Sequence, residues 1–217
     1  MYQMFKYPKI ATLSLIASTL LLTGNAFAKD KPEKPFTPGK PGELTLLATA
    51  LDYNAKNTDM EGVGEFTYLY TAVLCLEGEE LDTVVGLLTG DDKYTLFAPT
   101  NDAFRSLQGT LAEKFDLDIE PAPEVTCEVD ALLGEGTLFT VLAYHLTEGR
   151  RFSNSVFNRN NPKEIEMLAA GYITSTPSLT IIDGAMQTAK PNTSLVNINA
   201  SNGVIHVIDT VLLPFAP

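Results

Sequence analysis

The sequence holds two histidines, His145 and His206, the side chains best suited to carry protons near neutral pH. Neither stands in an H-E-x-x-H pair, so a helical zinc-protease site is excluded. No serine lies in a G-x-S-x-G turn and no G-x-x-x-x-G-K-[ST] phosphate loop occurs. His206 and Asp209 are an imidazole and a carboxylate three residues apart. On a strand that spacing turns them to opposite faces, which counts against a Ser/His/Asp triad built on the two. The acid-rich stretch Asp116, Asp118, Glu120 lacks the loop glycine and distal glutamate of an EF-hand. No residue is therefore assigned to catalysis, to a cofactor or to a metal, and the chain is expected not to be an enzyme. The default for both histidines is a buried structural role, with the ring satisfied by a hydrogen-bond partner.

Cys75 and Cys127 are the other reactive pair, and their chemistry depends on compartment. Residues 1–28 have the form of a secretory leader. Lys6 and Lys9 precede the apolar run Ile10–Leu22, and Ala26-Phe27-Ala28 is a small-x-small cleavage site. The mature chain is then expected to begin at Lys29, either secreted or periplasmic. No cysteine lies near the cleavage site, so no lipid anchor is expected. No later apolar run is long enough to span a bilayer. In an exported chain, two cysteines read as one disulfide. It would close a loop of 52 residues, worth about 4 kcal/mol in the chain-entropy account, and would pin the acidic segment 116–135 onto the helices.

Cleavage would leave 13 basic residues against 27 acidic ones. That balance argues against nucleic acid, whose phosphates need clustered Lys and Arg. Pro32, Pro35, Pro38 and Pro41 recur at every third residue, the period of a polyproline II helix, so residues 29–42 read as a tether. Residues 43–217 suit one domain without internal repeats.

The positioning elements follow from periodicity. Leu44, Leu47, Ala48 and Leu51 have helical spacing, as do Phe66, Leu69, Tyr70 and Val73, and then Leu81, Val84, Val85 and Leu88. Gly90 reads as a helix C-cap. Tyr94–Ala98 reads as a short buried strand containing Thr95 and Phe97, ended by Pro99. Thr100 is placed to cap a helix through Asn101, Asp102 and Phe104. A helix over 136–146 is apolar almost all round and carries Tyr144 and His145. From residue 150 the period becomes that of strands: 163–168, 172–176, 179–182 and 194–198. Asn202-Gly203 is a turn signal leading into the last strand. Val204, His206, Ile208, Thr210 and Leu212 would face one way, and Ile205, Val207, Asp209, Val211 and Leu213 the other. Both faces are largely apolar, so a central strand with His206 and Asp209 embedded is expected.

Three of these stretches carry a family resemblance. Residues 93–104 (KYTLFAPTNDAF) resemble the first signature box of the fasciclin, or FAS1, domain. Thr140–His145 resembles its Tyr-His box, and 202–209 with 211–214 its second signature box. They occur in the family's order, and the resemblance covers roughly residues 43–215. It implies an α+β fold, a wedge of mixed β-sheets with an N-terminal helical layer. It also implies an extracellular adhesion module that binds a protein or polysaccharide without catalysis. In the family the histidine of the middle box is thought to help lock the boxes together. Animal members are thought to use an Asp-Ile pair just before the last box for integrin binding. The matching positions here are Asn197-Ile198, which lack the acid and speak against that mode. The alternative is a carrier of a small molecule or lipid in a groove between helices and sheet. The short leader and lone module have a bacterial character. Asn192-Thr193-Ser194 and Asn199-Ala200-Ser201 would then be sequons by accident.

Overall fold

The computed structural model describes residues 42–58, 64–157, 160–169 and 171–216. The leader and all of the tether except Gly42 lie outside the described residues. Three helices open the described chain: α1 (Leu46–Lys56), α2 (Thr67–Leu74) and α3 (Gly78–Thr89). The buried face of α1 differs from the expected one. Leu46 and Thr49 are buried, whereas Leu44 and Leu51 are exposed. The cause is local. Thr45 is the N-cap, its hydroxyl accepting from Ala48 N, so Leu44 precedes the helix and its stripe begins two residues later. Gly90 caps α3 as expected, and a Cβ there would crowd the Gly86 carbonyl.

β1 (Tyr94–Pro99) leads through the cap Thr100 into α4 (Asn101–Lys114). The acidic stretch is not a plain loop. It holds a 3₁₀ turn, Pro123–Glu128, and the short α5, Val129–Leu133. Cys127 in the 3₁₀ turn is bonded to Cys75 at the end of α2, Cα to Cα 5.2 Å. Gln108 of α4 clasps the same stretch, donating to Ala122 O at 3.0 Å and accepting from Ala122 N at 3.0 Å.

The predicted helix over 136–146 is shorter: α6 spans Thr137–Ala143. Tyr144 and His145 turn out of it, and Leu146 starts β2 (Leu146–Glu148). A four-residue helix α7 (Ser153–Val156) follows. Then come β3 (Lys163–Glu166), β4 (Tyr172–Ser175), β5 (Ile181–Ile182), β6 (Thr188–Ala189), β7 (Ile198–Ala200) and β8 (Gly203–Ile208). β2, β6 and α7 were not anticipated, being too short to show a period.

The strands form two sheets, ordered β2-β1-β8-β7 and β3-β4-β5-β6. The first is mixed. β1 and β8 run parallel from Tyr94 opposite Gly203 to Pro99 opposite Ile208, and β2 and β7 flank them antiparallel. The second is antiparallel throughout. This is an α+β architecture.

Side-chain alternation along β1 and β8 divides the interior. Leu96, Ala98, Ile205 and Val207 face the helices and pack with Leu46, Leu69, Val84 and Leu142. Phe97 and Ile208 face the second sheet and pack with Tyr144, Ile165, Ile173 and Ile181. β8 is thus covered on both sides, as expected. It ends at Ile208, however, and Asp209 is exposed rather than embedded. The Asp209 carboxylate leaves the sheet to accept Lys190 N at 2.7 Å. The turn before β8 also differs. Ala200 pairs with Gly203, so Ser201-Asn202 make the turn and Gly203 is already strand. A Cβ at Gly203 would run into the Tyr94 carbonyl and the Leu46 side chain. Glycine is needed there for close approach, not for a turn. β7 begins four residues later than the predicted 194–198 because Asn197 sits at φ +62°. Its N–H bonds the His206 ring instead of a ladder carbonyl, a local bulge that interrupts pairing.

Candidate interaction site

The three boxes meet at β1 and β8, joined by side chains that bond backbone. Thr95 Oγ1 donates to Gly149 O at 2.7 Å and accepts Arg151 N at 2.8 Å. Phe97 N donates to His145 O at 2.9 Å, and its ring lies 5.7 Å from that of His206. Pro99 ends β1, and Thr100 N returns to Ile208 O at 3.1 Å. Thr100 Oγ1 accepts Ala103 N at 3.2 Å. Asn101 is buried; it accepts Tyr68 N at 3.2 Å and donates to Gly64 O at 2.7 Å. Phe104 stacks on Tyr68 at 6.0 Å. Asn202 accepts Leu46 N at 2.7 Å and donates to Leu88 O at 3.1 Å. One amide therefore satisfies an orphan donor at the start of α1 and an orphan acceptor at the end of α3. Tyr144 joins the second sheet, its hydroxyl donating to Tyr172 O at 2.6 Å and accepting Gly184 N at 3.0 Å.

The two imidazoles are 1% and 0% exposed. His145 Nδ1 donates to Val141 O at 2.7 Å and Nε2 accepts Leu212 N at 2.9 Å. His206 is the reverse: Nε2 donates to Arg151 O at 2.7 Å and Nδ1 accepts Asn197 N at 3.3 Å. A carbonyl only accepts and an amide N–H only donates, so each ring is fixed as one neutral tautomer. Burial pulls the His145 pKa down to about 4, against a weaker opposing effect of the Val141 carbonyl. Burial likewise lowers that of His206, opposed by the Arg151 carbonyl. Both ring nitrogens of both histidines are engaged by backbone, so neither ring has a nitrogen facing a substrate.

Two concavities lie near these joints. One, between α1, α2 and β1, is apolar and holds about 40 Å³, room for a water or two. Ligand sites usually offer several hundred Å³. The second is an open groove of about 680 Å³ beside α7. Ser153, Asn154, Ser155 and Thr193 bring hydroxyls and an amide to it, and Lys163 brings the one charge among the described lining residues. Leu179, Pro191 and Val196 supply apolar lining. Lys163 Nζ donates to Ser155 O at 2.5 Å. Asn197 holds α7 in place, accepting Ser153 N at 2.7 Å and donating to Ser153 Oγ at 2.8 Å. Leu179 and Asn197 are two of the four non-glycine described residues at positive φ, where strain often accompanies function.

The fasciclin-domain family model matches residues 64–214. The chain belongs to the fasciclin family. Protein sll1483 of Synechocystis sp. is 28% identical over 203 residues, covering 94% of this chain and 98% of that protein. A solved FAS1 domain pair from the insect cell adhesion molecule fasciclin I matches at 16% identity and a TM-score of 0.42. The match covers 66% of this chain and 43% of that one.

Asn197-Ile198 is the pair that the resemblance matches to the Asp-Ile pair of animal fasciclins. Here the asparagine amide is consumed by Ser153. The groove beside it escaped periodicity, because α7 has four residues and the 191–196 segment has no regular structure. Charge was the signal that could have found it. Residues 43–148 of this fasciclin domain carry 21 acidic and 4 basic side chains, whereas residues 149–217 carry 4 and 5. The segments 149–163 and 184–208 contain no acid at all.

Proposed function

We propose that the protein is an exported, non-catalytic fasciclin-type module that binds an extracellular protein or polysaccharide through its surface. In this reading residues 1–28 are the leader, 29–42 the tether and 43–217 the binding domain. No helix among the described residues is long and apolar enough to cross a membrane. The observation that carries the reading is the engagement of both imidazoles. His145 and His206 spend all four ring nitrogens on backbone groups inside the fold. Tyr144, Asn101 and Asn202 are likewise spent on joints. In this reading the boxes serve assembly, and recognition is left to the outer surface. The carrier alternative is weakened by the 40 Å³ available between helices and sheet. The test is adherence. Beads coated with the purified protein should bind envelopes of its source organism, and soluble protein should compete. Native mass spectrometry of protein taken from that source should give the bare polypeptide mass. A reproducible bound mass without adherence would favour the carrier.

A further inference from the structure

We propose that the groove beside α7 takes a segment of a carboxylated polysaccharide, with Lys163 as its cation; this rests on the interaction-module reading and names its ligand class. Three observations converge on that groove. Its volume, about 680 Å³, falls in the range of ligand sites. Its chemistry suits a sugar chain: Ser153, Asn154, Ser155 and Thr193 can meet ring hydroxyls, while Leu179, Pro191 and Val196 offer apolar surface to C–H faces. The described residues that line it include none of the Trp, Tyr or Arg anchors that dominate protein-binding hot spots.

The third observation is charge. Lys163 is the only charged side chain among the described residues that line it. Its ammonium spends one N–H on Ser155 O, leaving two of three donors for a carboxylate. Among residues 149–217 the four acids are turned elsewhere. Glu164 and Glu166 alternate with Lys163 along β3, on the other face. Asp183 accepts Gln187 N at 2.8 Å and Leu213 N at 2.9 Å. Asp209 accepts the Lys190 backbone N–H at 2.7 Å and the Thr210 hydroxyl at 2.9 Å. The 21 acids of residues 43–148 repel a polyanion, but exposed charges are screened beyond about 8 Å at physiological salt. The polymer is thereby directed to the acid-free segments.

Titration calorimetry of the purified protein with polygalacturonate oligomers, and with dextran oligomers as the neutral control, tests the assignment. Wild type should bind the uronate and not the dextran, more weakly as salt rises. K163Q should weaken uronate binding about three- to fivefold, the size of one exposed ion pair. T193W, at an exposed lining position, should abolish it by filling the groove. Unchanged melting temperatures would show that both variants fold. Uronate binding that is absent, that is equalled by dextran, or that survives both substitutions would overturn the proposal. Envelope adherence that persists in T193W would also overturn it, while leaving the interaction-module reading standing.

Discussion

The two faces of the central sheet are held by different means. On the helical face, α1, α2, α3 and α6 bury a broad apolar cluster, and the Cys75–Cys127 bond ties the acidic stretch to α2. On the other face the partner is a sheet whose strands have two to four residues. Such strands supply few ladder bonds. Side chains make up the difference by bonding backbone: Ser175 Oγ to Val156 O at 2.6 Å, Thr147 Oγ1 to Glu166 O at 2.6 Å, and the Tyr144 hydroxyl to two partners. Asp183, only 4% exposed, fastens the turn after β5 to Leu213. One face relies on apolar area and a cross-link. The other relies on buried polar joints, which are costly to break because each leaves a partner unsatisfied.

The largest expected effect lies on the helical face. Replacing both cysteines by serine should destabilise the domain by about 4 kcal/mol in denaturant titrations, with the sheet side losing cooperativity last. A loss near zero would mean that apolar packing alone holds that face. Next is the junction. His145 binds its proton at a pKa of about 4 when folded, against about 6.5 in an unfolded chain. A depressed folded pKa means that stability is fully present above about pH 6.5 and drains away as pH falls toward 4. The total is about 3 kcal/mol. Melting temperatures between pH 7 and 4 should record it, and H145Q should flatten that slope. Asp183 works in the opposite sense. Burial raises its pKa despite the backbone N–H groups that lower it. Its contribution is therefore present at low pH and lost as pH rises through the folded pKa. D183N should steepen the acid-side loss.

Smaller effects test the polar face directly. Y144F keeps the ring but orphans Tyr172 O and Gly184 N, and should cost about 2 kcal/mol in thermal or chemical unfolding. If it behaves like a surface substitution, the contrast between the faces collapses. N197G is the finest probe. It relieves the residue at φ +62° but removes two bonds to Ser153. The net change should be within about 1 kcal/mol, with any larger loss showing that the α7 anchor outweighs the strain.

Much of this is legible in residue type and spacing. Tyr94–Pro99 reads as a buried strand because apolar residues crowd it and proline stops it. Thr100 reads as a cap because a hydroxyl precedes a helical stripe. The elements that escaped are those whose identity depends on a distant partner. β2 is a strand only because β1 lies beside it, and a three-residue segment has no period of its own. Leu44 has the spacing of α1 yet lies outside it, because spacing alone does not reveal that Thr45 caps first. Alternation continued past Ile208 puts Asp209 inside, but the chain leaves the sheet at that point and Asp209 is exposed.

The sequence by itself determined the local elements, the order of the three boxes, the cysteine pair and the uneven distribution of acids, since each is written in residue type and short spacing. Only the tertiary structure decided which tautomer each histidine holds, why position 203 admits no side chain, and that a groove opens beside Lys163. Those features arise where backbone groups far apart in the chain come within hydrogen-bonding distance, and no local pattern encodes that approach.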